Sequence, residues 1–149
     1  MALNNNPIYS GVGQIESTAT YGTNFMNAAN IALDANAANA YIIMSASISG
    51  SFVQRVRFKA SGSTSATVAR IFINNGGVTG SGTNNFLFDE ITLPATTAAG
   101  NATAATAVYE LPLNIALPPG YRLLATLGVA QSTTGGWTAT AIAGSYVTT

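Results

Sequence analysis

The chain has no cysteine and no histidine, and it is poor in charge. Without cysteine, disulfides, thiolate metal sites and thiol catalysis are excluded. Without histidine, the commonest general base and the commonest metal ligand are missing. Charged residues make up 7% of the sequence, five basic against five acidic, for a formal net charge of +0. Ordinary soluble domains carry about 25%, so Ser, Thr, Asn and Gly must do the work of solvation here. A surface with few ions loses its water cheaply. It suits a chain that lives in contact with neighbours, and it also fits a secreted β domain with a neutral polar coat. No run approaches the ~18 consecutive apolar residues of a membrane span, so no membrane partner is expected. The opening MALNNNPIYSGVG has neither the basic nor the apolar region of a signal peptide. Synthesis in a cytoplasm without export by that route is expected.

What the sequence does contain is a succession of short apolar runs separated by turn-forming residues. Its 149 residues are the size of one domain with a core. The spacing predicts strands near residues 14–21, 41–47, 52–60, 66–74, 85–93, 106–117, 121–129 and 137–147. Residues 25–38 are rich in Ala and Asn; Asn24, Asn27, Asn30, Asp34 and Asn36 favour loops over helix interiors, so an irregular or edge segment is expected there. The alternation in FVQRVRFKA puts Phe52, Val56 and Phe58 on one face and Arg55, Arg57 and Lys59 on the other, with Val53. Pro112 marks an edge or a bulge, and Pro119-Gly120 marks a type II turn. About eight short strands without a convincing amphipathic helix predict an all-β sandwich, most simply an eight-stranded jelly roll; an immunoglobulin-like sandwich is the alternative. The polar residues 1–13 are expected to form an extended N-terminal arm on a single domain of residues 14–149.

No catalytic constellation is legible. The acids are Glu16, Asp34, Asp89, Glu90 and Glu110. Asp89 and Glu90 are adjacent on a strand and therefore face opposite ways. Glu90 with Glu110 would flank a sugar only if their strands were neighbours. Lys59, the single lysine, follows no nucleophile. The glycine-rich GGVTGSG (residues 76–82) lacks the following Lys and Ser or Thr of a phosphate loop and reads as a flexible loop. No metal site, cofactor site or enzyme activity is predicted. Arg55, Arg57 and Lys59 form a basic stripe, too small in a neutral chain to imply nucleic acid. Either it pairs across strands with Asp89, Glu90 or Glu110, or it meets an acidic partner. Trp137, Tyr121 and Tyr146 would bind sugar if exposed and fill the core if buried.

Three stretches carry a family likeness. VQRVRFKASGSTSATVARIFINNG (residues 53–76), FDEITLPATTAAGNATAATAVYELPLNIALPPGYRLLATLG (residues 88–128) and GGWTATAIAGSY (residues 135–146) resemble small structural proteins of tailed phages and prophages. The likeness runs from about residue 14 to residue 146. It implies a virion component on the capsid surface: a decoration, or cement, protein, homotrimeric, that stabilises the head by binding the major capsid protein. It implies no catalytic motif. On this reading Arg55, Arg57 and Lys59 are orienting contacts, and the arm residues Asn4, Asn5, Asn6, Pro7, Ile8 and Tyr9 lie across a neighbour. A tail, fibre or receptor-binding module and a carbohydrate-binding domain are the rival readings.

Overall fold

The computed structural model describes residues 10–36, 38–97 and 105–146. Among them, eight strands form two four-stranded antiparallel sheets packed face to face as a β-sandwich. The strands are β1 (Ser10–Ser17), β2 (Tyr41–Ser45), β3 (Ser51–Ser61), β4 (Thr67–Asn74), β5 (Asn85–Leu93), β6 (Val108–Leu117), β7 (Arg122–Leu127) and β8 (Gly136–Tyr146). Sheet A has the order β1-β8-β3-β6 and sheet B the order β2-β7-β4-β5. The pairings are nested: first with last, second with seventh, third with sixth, fourth with fifth. Residues 10–13, expected in the arm, belong to β1 instead, with Ser10 and Gly13 paired to Tyr146 and Gly144 of β8. Asn4, Asn5, Asn6, Pro7, Ile8 and Tyr9 lie outside the described residues.

The core between the sheets follows from strand alternation. On β4, Ala69, Ile71 and Ile73 point inward, and on β8 Ala139 and Ala141 do the same. The small residues of β8 leave room for Phe58 and for Trp137, both fully buried. Trp137 meets the Tyr109 ring edge-to-face at 5.8 Å, a favoured aromatic geometry. Its indole N–H finds no acceptor among the described residues.

On β3 the alternation breaks once. Val53 is buried although it shares sequence parity with the exposed Arg57. The reason is an irregularity between Val53 and Arg55 in the ladders to both β6 and β8, which resets the phase. On β6 the same irregularity falls beside Pro112 and beside Asn114, whose φ is +51°. Pro112 is therefore tolerated as the sequence suggests, on an edge strand at a bulge. The turn at Pro118–Gly120 closes with Tyr121 N–H donating to the Pro118 carbonyl at 3.2 Å, with Gly120 at φ +77°, as a type II turn requires.

The outer face of sheet B is also buried. The described residues 30–36 and 38–40 form no strand there, and Ala35 packs on Phe72 and Leu124, with Ala40 and Ile42 beside them. This second cover explains why Leu123 to Leu127 of β7, in the middle of sheet B, are buried on both faces, Thr126 among them. The segment is held by its asparagines. Asn30, nearly buried, donates from its side chain to the carbonyls of Asn36 and Ala38 and accepts from Ala32 N–H. Its backbone N–H donates to Leu127 at 2.8 Å. Further along, Met26 and Trp137 exchange backbone hydrogen bonds. A β-carbon at Gly136 would overlap the Met26 carbonyl oxygen, so glycine is needed at that crossing.

Candidate functional site

The outward face of sheet A carries the basic stripe. Beyond the bulge, β3 turns Arg55, Arg57 and Lys59 away from the core while Val56, Phe58 and Ala60 are buried. Arg57 lies opposite Glu110 of β6 on one side and Thr140 of β8 on the other. One carboxylate serves two guanidinium groups: Glu110 Oε1 is 3.5 Å from Arg55 Nε and 3.9 Å from Arg57 Nε. Arg55 also donates from Nη1 to Gln54 Oε1 at 2.7 Å. Lys59 Nζ donates to the Thr106 carbonyl at 2.6 Å. Cross-strand pairing is thus present, but incomplete. Three cations face one acid among the described residues, and long pairs at the surface contribute only about 0–1 kcal/mol each. The stripe keeps a positive excess on a surface otherwise almost free of charge.

A shallow trough runs beside the stripe, lined by Arg57, Lys59, Thr140, Ile142 and the exposed Ile15 of β1. Cation, hydroxyl and aliphatic groups thus lie together on one sheet face. Such a surface can hold a carboxylate-bearing protein surface, with charge orienting the contact and apolar area adding to it.

The acids are dispersed. Glu90 is on β5 in sheet B and Glu110 on β6 in sheet A, so their strands are not neighbours within a sheet, and each is engaged by arginine. Glu90 Oε1 accepts from Arg70 Nε at 2.6 Å. Asp89 lies opposite the inward Ile71, and Glu90 opposite the outward Arg70, which places them on opposite faces as adjacency requires. Among the described residues, no three acids gather into a metal site. The glycine-rich loop after β4 is braced rather than loose: Asn85 Nδ2 donates to the Thr79 carbonyl, Asn84 Nδ2 to Val78, and Arg122 Nη1 to Gly77. Trp137 is in the core and presents no ring to a sugar; Tyr121 packs against the core as well.

Two features escape the sequence pattern. One is a polar latch between the sheets. Glu16 of β1 accepts hydrogen bonds from the Gln14 side chain, the Tyr21 hydroxyl and the Ser45 N–H of β2. Gln14 in turn donates to the Ser45 carbonyl and accepts from Ser51. Burial, then the bond to Glu16, pushes the Tyr21 phenol up to about 12. The other is the exposed triplet Phe86, Leu87 and Phe88 on the edge strand β5. Its signal in the sequence is three consecutive large apolar residues after a polar loop.

Comparison with family models, with curated proteins and with solved structures finds no match to this chain. The likeness to phage structural proteins therefore rests on the residues quoted for it.

Proposed function

We propose that this chain is a virion structural protein, a capsid decoration protein that stabilises a phage head by binding its major capsid protein. The observation that supports this most is the outer face of sheet A. The excess cations of Arg55, Arg57 and Lys59 lie together on one sheet face, while the chain as a whole is neutral and 7% charged. Charge concentrated on one face orients docking and costs little desolvation elsewhere. We read the nested strand order as a jelly roll with two sheets of four strands, and the assembly as a homotrimer, whose copies gain avidity on a symmetric shell. The reading involves no catalysis, and no cofactor or nucleic acid; its site of action is the capsid surface.

The test uses gradient-purified particles of the phage or prophage that carries the gene. The chain is expected in those particles by mass spectrometry, at many copies per head. Heads lacking it should recapture the purified wild-type protein on co-sedimentation, and an Arg57→Glu/Lys59→Glu variant with unchanged circular dichroism should bind at least tenfold more weakly. Absence from the particles overturns the reading. A few copies confined to the tail would favour a fibre module instead.

A further inference from the structure

At the end of β4 the chain turns through Asn75, Gly76 and Gly77, and this turn brings together the groups of a reaction that needs no partner. Asn75–Gly76 is the one place in the sequence where glycine follows asparagine; every other asparagine is followed by a residue with a side chain. Without a β-carbon on the following residue, nothing shields its backbone nitrogen from the asparagine side chain, and asparagine is one of the thermolabile residues.

The fold fixes both members of the pair. Gly76 has φ +92°, and a β-carbon there would lie 2.9 Å from the Gly120 carbonyl oxygen. The turn at Pro118–Gly120 therefore keeps position 76 glycine. Asn75 and Gly76 are both exposed, so water and solvent base reach them. The Asn75 backbone N–H is held by the Asn84 carbonyl at 3.0 Å. Its side chain is folded forward, with Oδ1 accepting from Gly77 N–H at 3.0 Å. That bond closes a small ring containing both the side-chain carbonyl carbon Cγ and the Gly76 nitrogen, and so keeps the two atoms near each other. Gly76 N–H donates to Oδ1 of the buried Asn74 at 2.9 Å, and Asn74 is anchored in turn by Asn85 at 2.7 Å. An amide hydrogen bond lies in the peptide plane, whereas the nitrogen attacks through electrons perpendicular to it. The bond to Asn74 thus steadies the nucleophile and leaves its face open.

We infer that Asn75 is a self-modifying site, which deamidates in the folded chain. Hydroxide takes the Gly76 N–H proton, and the nitrogen bonds to Cγ. Gly77 N–H already points at Oδ1, where negative charge develops. The tetrahedral centre collapses, and Nδ2 leaves as ammonia with a proton from water, which regenerates hydroxide. A cyclic imide now joins the two residues. Water opens it at either carbonyl, giving an aspartyl residue or an isoaspartyl linkage routed through the side chain. Nothing is oxidised or reduced, and water is the only co-reactant. The product adds a carboxylate to a chain whose five basic and five acidic residues balance. It does so at the corner where Arg122 donates to the Gly77 carbonyl. The glycine that the turn requires is the same residue that makes the asparagine labile, so the fold retains the site.

The experiment ages the purified full chain in its native state near neutral pH. Isoelectric focusing follows the charge, and isoaspartyl methyltransferase labelling with peptide mapping locates the product. A short peptide, IFINNGGVT (residues 71–79), ages in parallel. The native chain is expected to accumulate an acidic form labelled chiefly at Asn75. Its rate should be no more than about tenfold below the peptide's, since a misplaced Cγ would slow it by about 100-fold. Asn75→Gln, whose longer side chain would need a larger ring, should lose the acidic form and the label while keeping the wild-type circular dichroism spectrum. A native chain that stays unlabelled at Asn75 while the peptide converts overturns the inference. So does conversion seen only in denaturant, an acidic form that maps to another asparagine, or one that Asn75→Gln accumulates in full.

Discussion

Sheet A turns Arg57, Lys59 and Thr140 outward beside the exposed Ile15, whereas sheet B buries Phe72 and Leu124 against Ala35 and Ala40. Both sheets contribute one face to the same core. They differ in what lies on the other side. Sheet A is a half-buried sheet of alternating pattern, and sheet B is closed on both sides over much of its width. A sheet with one free face can vary that face without loss of stability, so sheet A is where a recognition surface is cheapest to build. Toward β5 sheet B is more open, and there the exposed Phe86, Leu87 and Phe88 stand beside the charged Asp89 and Glu90.

The difference gives an ordered set of expectations. Phe72→Ala opens a cavity under the cover of sheet B and should cost about 3–5 kcal/mol, read as the loss of unfolding free energy in denaturant melts. A loss below about 1 kcal/mol would mean that Ala35 and its neighbours do not cover Phe72 as described and that the two sheets are alike. A second effect lies where the sheets are laced together. The Tyr21 phenol, raised from 10.0 to about 12, keeps its proton in the folded chain at a pH where the unfolded chain has lost it. The folded state then holds more protons, so stability falls as pH rises from about 10 to about 12 and is fully present below that window. In Tyr21→Phe this part of the alkaline decline should vanish; if the decline is unchanged, the latch does not hold the phenol. The smallest effect belongs to the open face of sheet A. Arg57→Ala removes a 3.9 Å surface pair and should shift stability by no more than about 0.5 kcal/mol. A loss well above that would make the stripe part of the fold rather than a free surface.

Much of this contrast is legible in the sequence. The alternation of β3 shows which face carries Arg55, Arg57 and Lys59, and Pro112 marks its strand as an edge. Asparagine in residues 25–38 signals irregular backbone, and Asn30 shows why: its amide satisfies carbonyls that a strand partner would otherwise take. Other features depend on topology and have no local signature. Val53 is misplaced by parity because a bulge depends on two neighbouring strands at once. The latch joins Glu16 to Ser45 across the gap between sheets, and nothing near either residue announces the other. Glu90 and Glu110 look like possible partners in sequence until the strand order assigns them to different sheets. The exposure of Phe86, Leu87 and Phe88 is hidden for the same reason, since an apolar strand reads as buried until it proves to be an edge.

The nested pairing also bears on how the chain is made. β1 emerges from the ribosome first, yet among the described strands its ladder partner is β8, which emerges last. β8 also separates β1 from β3 in sheet A. During synthesis the amides of β1 and one edge of β3 therefore wait for β8, while β4 and β5 pair through a short connection much earlier. Sheet B can begin to form on the growing chain, but sheet A cannot be completed until β8 has been translated. Pairing at such sequence distance is slow to form and leaves strand edges exposed in the meantime. The yield of folded chains is then set by how quickly β8 slots between β1 and β3.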